Sequence, residues 1–170
     1  MKSISHGVLI VNANEELLLC RASGSPHWDI PKGGGKLTET GRQTVVRETF
    51  EACGLQLAPR DLLPLGCFAH RPGRDLQLHA VLLARFDTRD CVCRSQFADG
   101  RGQWRPAMDG YRWTAFDEVP QWCAKGLAML LTRTLSLSTI LRQLQALERP
   151  HGGSVQPGLP SARARVSTGQ

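Results

Sequence analysis

Residues 33–55 read GGGKLTETGRQTVVRETFEACGL, and within them Glu39, Arg47, Glu48 and Glu51 have side chains and spacing suited to metal and phosphate chemistry. Reduced to fixed points, the stretch is Gly33, five residues, Glu39, seven residues, Arg47-Glu48, two residues, Glu51, two residues, Gly54-Leu55. A glycine-rich turn leads into a segment with acids along one side. Hard divalent cations take carboxylate and carbonyl oxygens, so the arrangement suits holding such cations against a chain of phosphates.

A helix must carry these residues. Thr40 and Gln43 have the spacing of a capping box, which makes Thr40 the N-cap, and Gly54 is suited to the left-handed residue that ends a helix. At 100° per residue, Val45, Val46, Thr49, Phe50 and Cys53 share one arc and predict the face turned to a core. Arg47, Glu48 and Glu51 share the opposite arc, with Ala52 at the border beside Glu48. Arg47 and Glu51 are four apart and close enough to pair; that pairing explains Glu51 as readily as a metal does.

The spacing resembles the signature of the Nudix hydrolases, Gly-x5-Glu-x7-Arg-Glu-U-x-Glu-Glu-x-Gly-U with U a bulky aliphatic. Gly33, Glu39, Arg47, Glu48, Glu51, Gly54 and Leu55 match it. Upstream, Trp28-Asp29-Ile30-Pro31-Lys32-Gly33 resembles the approach to the motif in the diadenosine-polyphosphate branch. Downstream, Tyr111-Arg112-Trp113 and Asp117-Glu118-Val119-Pro120 resemble the final strand and following helix. The resemblance spans residues 3–135, in order. It implies an α/β fold, the Nudix α/β/α sandwich with a mixed curved β-sheet.

The activity implied is metal-dependent hydrolysis of a pyrophosphate bond in a nucleoside diphosphate linked to another moiety, a dinucleoside polyphosphate or an NTP-like molecule. Mg2+ or Mn2+ would be the cofactor. Glu48 and Glu51 are the expected metal ligands, with the backbone carbonyl of Lys32 completing the shell. Glu39 and Arg47 would orient loop and ligands. Candidate substrate contacts are Lys32, Gly33, Gly34, Arg71 and Arg74 for phosphates, with Trp28 and Tyr111 either as walls for a base or as core aromatics.

The pattern departs from the family at two carboxylate positions. Ala52 stands where the signature has its second helix glutamate, and Ala107, in Pro106-Ala107-Met108-Asp109, where relatives often have another. Two missing charges weaken cation binding and imply attenuated hydrolysis, with Asp109 as a displaced substitute. They equally fit a Nudix-fold module that binds a nucleotide without cleaving it.

Composition agrees with one compact unit. The 170 residues support a single domain, read here as residues 1–149, followed by a disordered basic tail over 150–170 rich in Gly, Pro, Ser and Arg. Of the net charge of +6, the tail contributes +2 through Arg163 and Arg165. No nucleic-acid-binding module and no membrane span are legible, and the N-terminal run alternates like a strand rather than a signal peptide. Six scattered cysteines, of which only Cys91 and Cys93 lie close, favour a reducing cytoplasm over disulfides or zinc.

The elements expected to position the site are a hairpin of strands at 5–11 and 17–20, the signature helix, strands at 65–70 and 77–86 around Arg71-Pro72-Gly73-Arg74, a surface loop at 99–105, and a late strand at 112–116. Helices follow near 123–132 and 137–148. In the last, Leu137, Ile140, Leu141, Leu144 and Leu147 form an apolar stripe. Docking on the chain's own body leaves a monomer; use as a seam gives a homodimer.

Overall fold

A computed structural model describes residues 1–148 and the backbone of Arg165–Val166. Its strands are β1 (Ser3–Asn12), β2 (Glu16–Ala22), β3 (Trp28–Asp29), β4 (Lys32–Gly34), β5 (Leu55–Gln56), β6 (Leu63–Arg71), β7 (Arg74–Leu82), β8 (Gln96–Ala98), β9 (Trp104–Pro106), β10 (Met108–Ala115) and β11 (Arg165–Val166). The helices are α1 (Gly41–Cys53), α2 (Val119–Trp122), α3 (Lys125–Met129), continued by a wide π-type turn over Leu130–Thr134, and α4 (Leu137–Glu148).

The main sheet runs β10-β2-β1-β7-β6, with β3 paired to β2 and β4 to β1. It is mixed: β1 and β7 are parallel, and the other pairings are antiparallel. Alternation along the central strands sends side chains to both faces. Val8, Ile10, Leu18 and Val81 pack under α1 with Val45, Ala52 and Cys53, while Leu9, Val11, Leu17, Leu19, Leu76, Leu78 and Ala80 pack on the other face with Leu127, Leu131, Ile140, Leu141 and Leu144. Helices thus cover both faces of one mixed sheet, the Nudix sandwich.

Several expected bounds change. The strand read at 77–86 ends at Leu82. The loop at 99–105 is the tip of a small hairpin between β8 and β9. The helix read at 123–132 begins at Lys125 and opens into the π-type turn. Four leucine and isoleucine residues of the α4 stripe are buried against the chain's own sheet, but Leu147 stays exposed. Of the segment 150–170 read as disordered, only Arg165–Val166 lies among the described residues, antiparallel to Leu55–Gln56; the rest of that reading lies outside them.

Candidate active site

The site forms where β4 meets α1. Thr40 caps α1 as its spacing predicts: its hydroxyl accepts the Gln43 N–H at 3.2 Å, and Gln43 Oε1 accepts the Thr40 N–H at 2.8 Å. Gly54 ends the helix with φ 73°, its N–H donating to the Phe50 carbonyl. The caps fix the register, and the register brings the charged residues together.

Arg47 is the hub. Its Nε donates to both oxygens of Glu39 at 2.8 and 3.1 Å, its Nη1 to Glu48 Oε1 at 2.9 Å and Glu51 Oε2 at 3.3 Å, and its Nη2 to the Gly34 carbonyl at 3.0 Å. Three carboxylates and one guanidinium therefore meet at the edge of β4. Burial opposes ionisation of Glu39, but the Arg47 bonds override it and hold that carboxyl below its usual range. For Glu48 the balance reverses: burial raises its pKa despite the Arg47 contact.

Glu48 owes this burial to a rotation of α1 that the sequence pattern missed. The buried residues are Thr44, Val45, Thr49, Ala52 and Cys53, whereas Val46 and Phe50 are only half-buried. The core-facing arc thus turns toward Glu48, and Phe50 is covered instead by the Arg94 guanidinium 4.8 Å from its ring. The rotation presses the Glu48 carboxylate against Gly33, where an added Cβ would lie 2.1–2.4 Å from its atoms. It also takes Ala52 off the border into the core, 7 % exposed.

The other candidates separate into two groups. Lys32 leaves β4 on the face opposite Glu48: a Cβ built on Gly7 would sit 3.2 Å from Lys32 Cβ and 3.3 Å from Leu76 Cδ1. Its ammonium lies 2.6 Å from Asp29 Oδ2 and 3.5 Å from His70 Nε2. On the same face Trp28 meets Trp122 edge-on at 6.4 Å, with the Arg21 and Arg112 guanidinium groups 5.4 and 5.6 Å from its ring. Arg71 and Arg74 are exposed at the β6–β7 turn, where Arg74 donates to Ser3 and Ser5 Oγ; they do not join the Arg47 cluster.

Of the two roles open to Tyr111, its contacts are those of a core aromatic. Its hydroxyl donates to the Ala52 carbonyl and its ring packs on the α1 side of the core. Asp109, the displaced acid, pairs with Arg21: its Oδ1 accepts from Arg21 Nε at 2.8 Å. Sequence reasoning left out His6, whose ring lies between Gly35 and Gly41, and read His70 only as a strand residue. A glycine at each end of the 35–41 loop was the available sign that a bulky group packs beneath it.

Among the described residues, no three acid, imidazole or thiol groups form a ready-made metal cage. The donor set still fits a Mg2+-like ion, which typically uses one or two carboxylates and fills its shell with water and substrate phosphates. The half-buried Glu48 carboxylate, with burial only partly offset by Arg47, is the group such a cation would relieve.

Comparison with known proteins agrees with this geometry. The family profile described as NUDIX domain matches residues 1–132. An RNA pyrophosphohydrolase of Actinobacillus succinogenes is 29 % identical over 122 residues, covering 65 % of this chain and 60 % of that protein. One from Psychromonas ingrahamii is 33 % identical over 90 residues, covering 53 % and 47 %. The chain therefore spans roughly half to three fifths of these relatives' length. The fold matches an Ap4A hydrolase binary complex from C. elegans, TM-score 0.58 at 18 % identity over 84 % of this chain and 98 % of that one. It also matches the NUDIX domain of Shewanella oneidensis NrtR complexed with ADP ribose, TM-score 0.57 at 14 % identity over 85 % and 89 %. With more than half its length matched by the family profile and the signature residues gathered at one sheet edge, the chain belongs to the Nudix family.

Proposed function

We propose that the protein is a metal-dependent pyrophosphohydrolase, cleaving the bond between two phosphates of a nucleoside diphosphate linked to another moiety, in a dinucleoside polyphosphate or an NTP-like substrate. The observation that carries this reading is the convergence of Glu39, Glu48 and Glu51 on Arg47 beside Gly33. Glu48 and Glu51 would hold Mg2+ or Mn2+, with the Lys32 carbonyl as a third donor. The ion neutralises phosphate charge and acidifies a bound water. Glu39 and Arg47 keep the two ligand carboxylates in place by fixing the 34–39 turn to α1, the kind of support on which ligand geometry depends.

Purified chain incubated with Mg2+ or Mn2+ and a panel of dinucleoside polyphosphates, nucleotide sugars, nucleoside triphosphates and 5′-triphosphorylated RNA tests this. The RNA is included because the relatives are named for it. Metal-dependent release of phosphate-containing products is expected, falling by about a hundredfold in Glu48→Gln, the several kcal/mol a lost metal site costs a transition state. A second reading, a nucleotide sensor, is favoured by the methyl group at Ala52; a ligand that binds intact, with binding unchanged in Glu48→Gln, would establish it. No helix among the described residues is long and apolar enough to cross a membrane.

A further inference from the structure

We infer that the β8–β9 hairpin and the Ser23–Gly24 turn form a nucleobase subsite, in which the Phe97 ring stacks on the base and Arg101 and Arg105 attract the phosphates joined to it. The inference rests on the pyrophosphohydrolase reading above for the source of the ligand, and adds where the nucleoside end lies. An open cleft of about 490 Å³ separates the hairpin from the turn, lined by Ser23, Gly24, Phe97, Asp99, Arg101 and Arg105. That volume is in the range of small-molecule sites.

The two-residue period of strands decides which side chains line it. Phe97 stands opposite Arg105, and Ala98 opposite Trp104. The Phe97 ring and the Arg105 guanidinium therefore share one face of the hairpin, and Trp104 leaves from the other. Only the first face borders the cleft. Phe97 is left 38 % exposed, an apolar ring that a planar ligand would cover.

The tip of the hairpin is built to hold its shape. Asp99 Oδ1 accepts the Arg101 and Gln103 N–H groups at 2.8 and 3.0 Å, and the Gly102 N–H donates to the Asp99 carbonyl at 2.9 Å. Asp99 Oδ2 accepts Arg105 Nε at 2.8 Å, which orients that guanidinium and leaves its terminal N–H groups for a ligand. Arg101 is exposed and enters no ion pair among the described residues. Two guanidinium groups against one carboxylate leave positive charge beside an aromatic ring, the pairing that holds unstacked bases and their phosphates.

Backbone hydrogen bonds tie this cleft to the acidic cluster. The Arg94 N–H donates to the Glu51 carbonyl at 2.8 Å, the Ala107 N–H to the Ser95 carbonyl at 2.9 Å, and the Ser23 N–H to the Ala107 carbonyl at 3.0 Å. Chains paired in this way lie roughly 4.8 Å apart, so three steps put Ser23 roughly 14 Å from Glu51. A nucleotide's sugar and phosphates span such a distance, with the base on Phe97 and the phosphate chain at Glu48 and Glu51.

The test is a nuclear magnetic resonance titration of the full chain, without divalent metal, with AMP, GMP, CMP and UMP and with ribose 5-phosphate as the probe that lacks a base. Thermal melts establish that each variant folds. At least one nucleotide is expected to bind about tenfold tighter than ribose 5-phosphate, the scale of one base–aromatic stack. Phe97→Ser should abolish that preference, and Arg101→Gln should weaken nucleotide binding about threefold, as for an exposed charge pair. Trp104→Ala, on the other face, should change nothing. No preference for a base in the parent chain, a preference that survives Phe97→Ser, or one lost in Trp104→Ala overturns the subsite, whether or not metal-dependent hydrolysis is observed. Phe97-dependent binding without any hydrolysis upholds the subsite and removes the catalytic reading instead. If Phe97→Ser does not fold, Arg101→Gln decides, and unaltered binding by it overturns the subsite.

Discussion

Glu48 and Ala52 stand one helical turn apart and show what a single side chain decides at this site. Glu48 remains partly accessible beneath Gly33, whereas Ala52 faces Val8, Ile10 and Leu18 with 7 % exposure. A glutamate at position 52 would have to bend back beside Glu48, creating a like-charge pair next to a carboxyl that burial already disfavours. Ala52→Glu is therefore expected to lower the melting temperature without metal, to regain it as Mg2+ is added, and to hydrolyse faster at saturating metal. Thermal melts and initial rates across a Mg2+ series check this; a variant as stable as the parent without metal, and no faster with it, contradicts the assignment of this position. The charges at the signature positions were legible in the sequence because their types and spacing are fixed by the chemistry. The burial of Ala52 was not, since an alanine fits either side of a helix boundary.

At the scale of elements, two glycines of the signature serve different physical ends. Gly54 is left-handed, and an added Cβ would also lie 2.9 Å from the Val92 carbonyl. Gly33 is absent from the left-handed positions and is required by the close approach of Glu48. Gly33→Ala should leave the fold intact while displacing that carboxylate, lowering the metal-dependent rate by about a hundredfold, the scale set by ångström misplacements in active sites. Circular dichroism and rate measurements separate the two effects; an alanine variant with full activity shows that Glu48 need not sit there. The cap residues of α1 were legible because Thr40, Gln43 and Gly54 act locally. The rotation of α1 was not, because Val46 and Phe50 look like core by periodicity, and the cation that covers Phe50 comes from Arg94, distant in sequence. Tyr111 stayed open between wall and core for a similar reason: its partner, the Ala52 carbonyl, is backbone.

At the scale of the whole molecule, three histidines are held neutral by burial on the sheet: His6 and His79 beneath α1, and His70 beside Lys32. A depressed folded-state pKa means that the unfolded chain binds more protons, so stability is full above the ordinary imidazole value of about 6.5 and is lost as pH falls below it. His79 is 3 % exposed, its Nδ1 has no hydrogen-bond partner, and burial followed by the Arg42 and His6 charges lowers its pKa. His79→Leu should accordingly lose less melting temperature than the parent chain between pH 7.5 and pH 5, read by differential scanning at matched ionic strength; parallel losses contradict this role. The sandwich itself was legible because the alternation in β1, β2 and β7 is strong enough to bury both faces. Which face each charged residue served was not, because that depends on where β4 pairs with β1. Catalysis at this site requires cation binding at Glu48 and Glu51, and manganese titration followed by electron paramagnetic resonance, with a non-hydrolysable nucleotide present, measures it directly. Tight Mn2+ binding that weakens by about tenfold or more in Glu48→Gln, the loss expected when a carboxylate donor is removed, is the predicted result; equal Mn2+ affinity in the two proteins would contradict it.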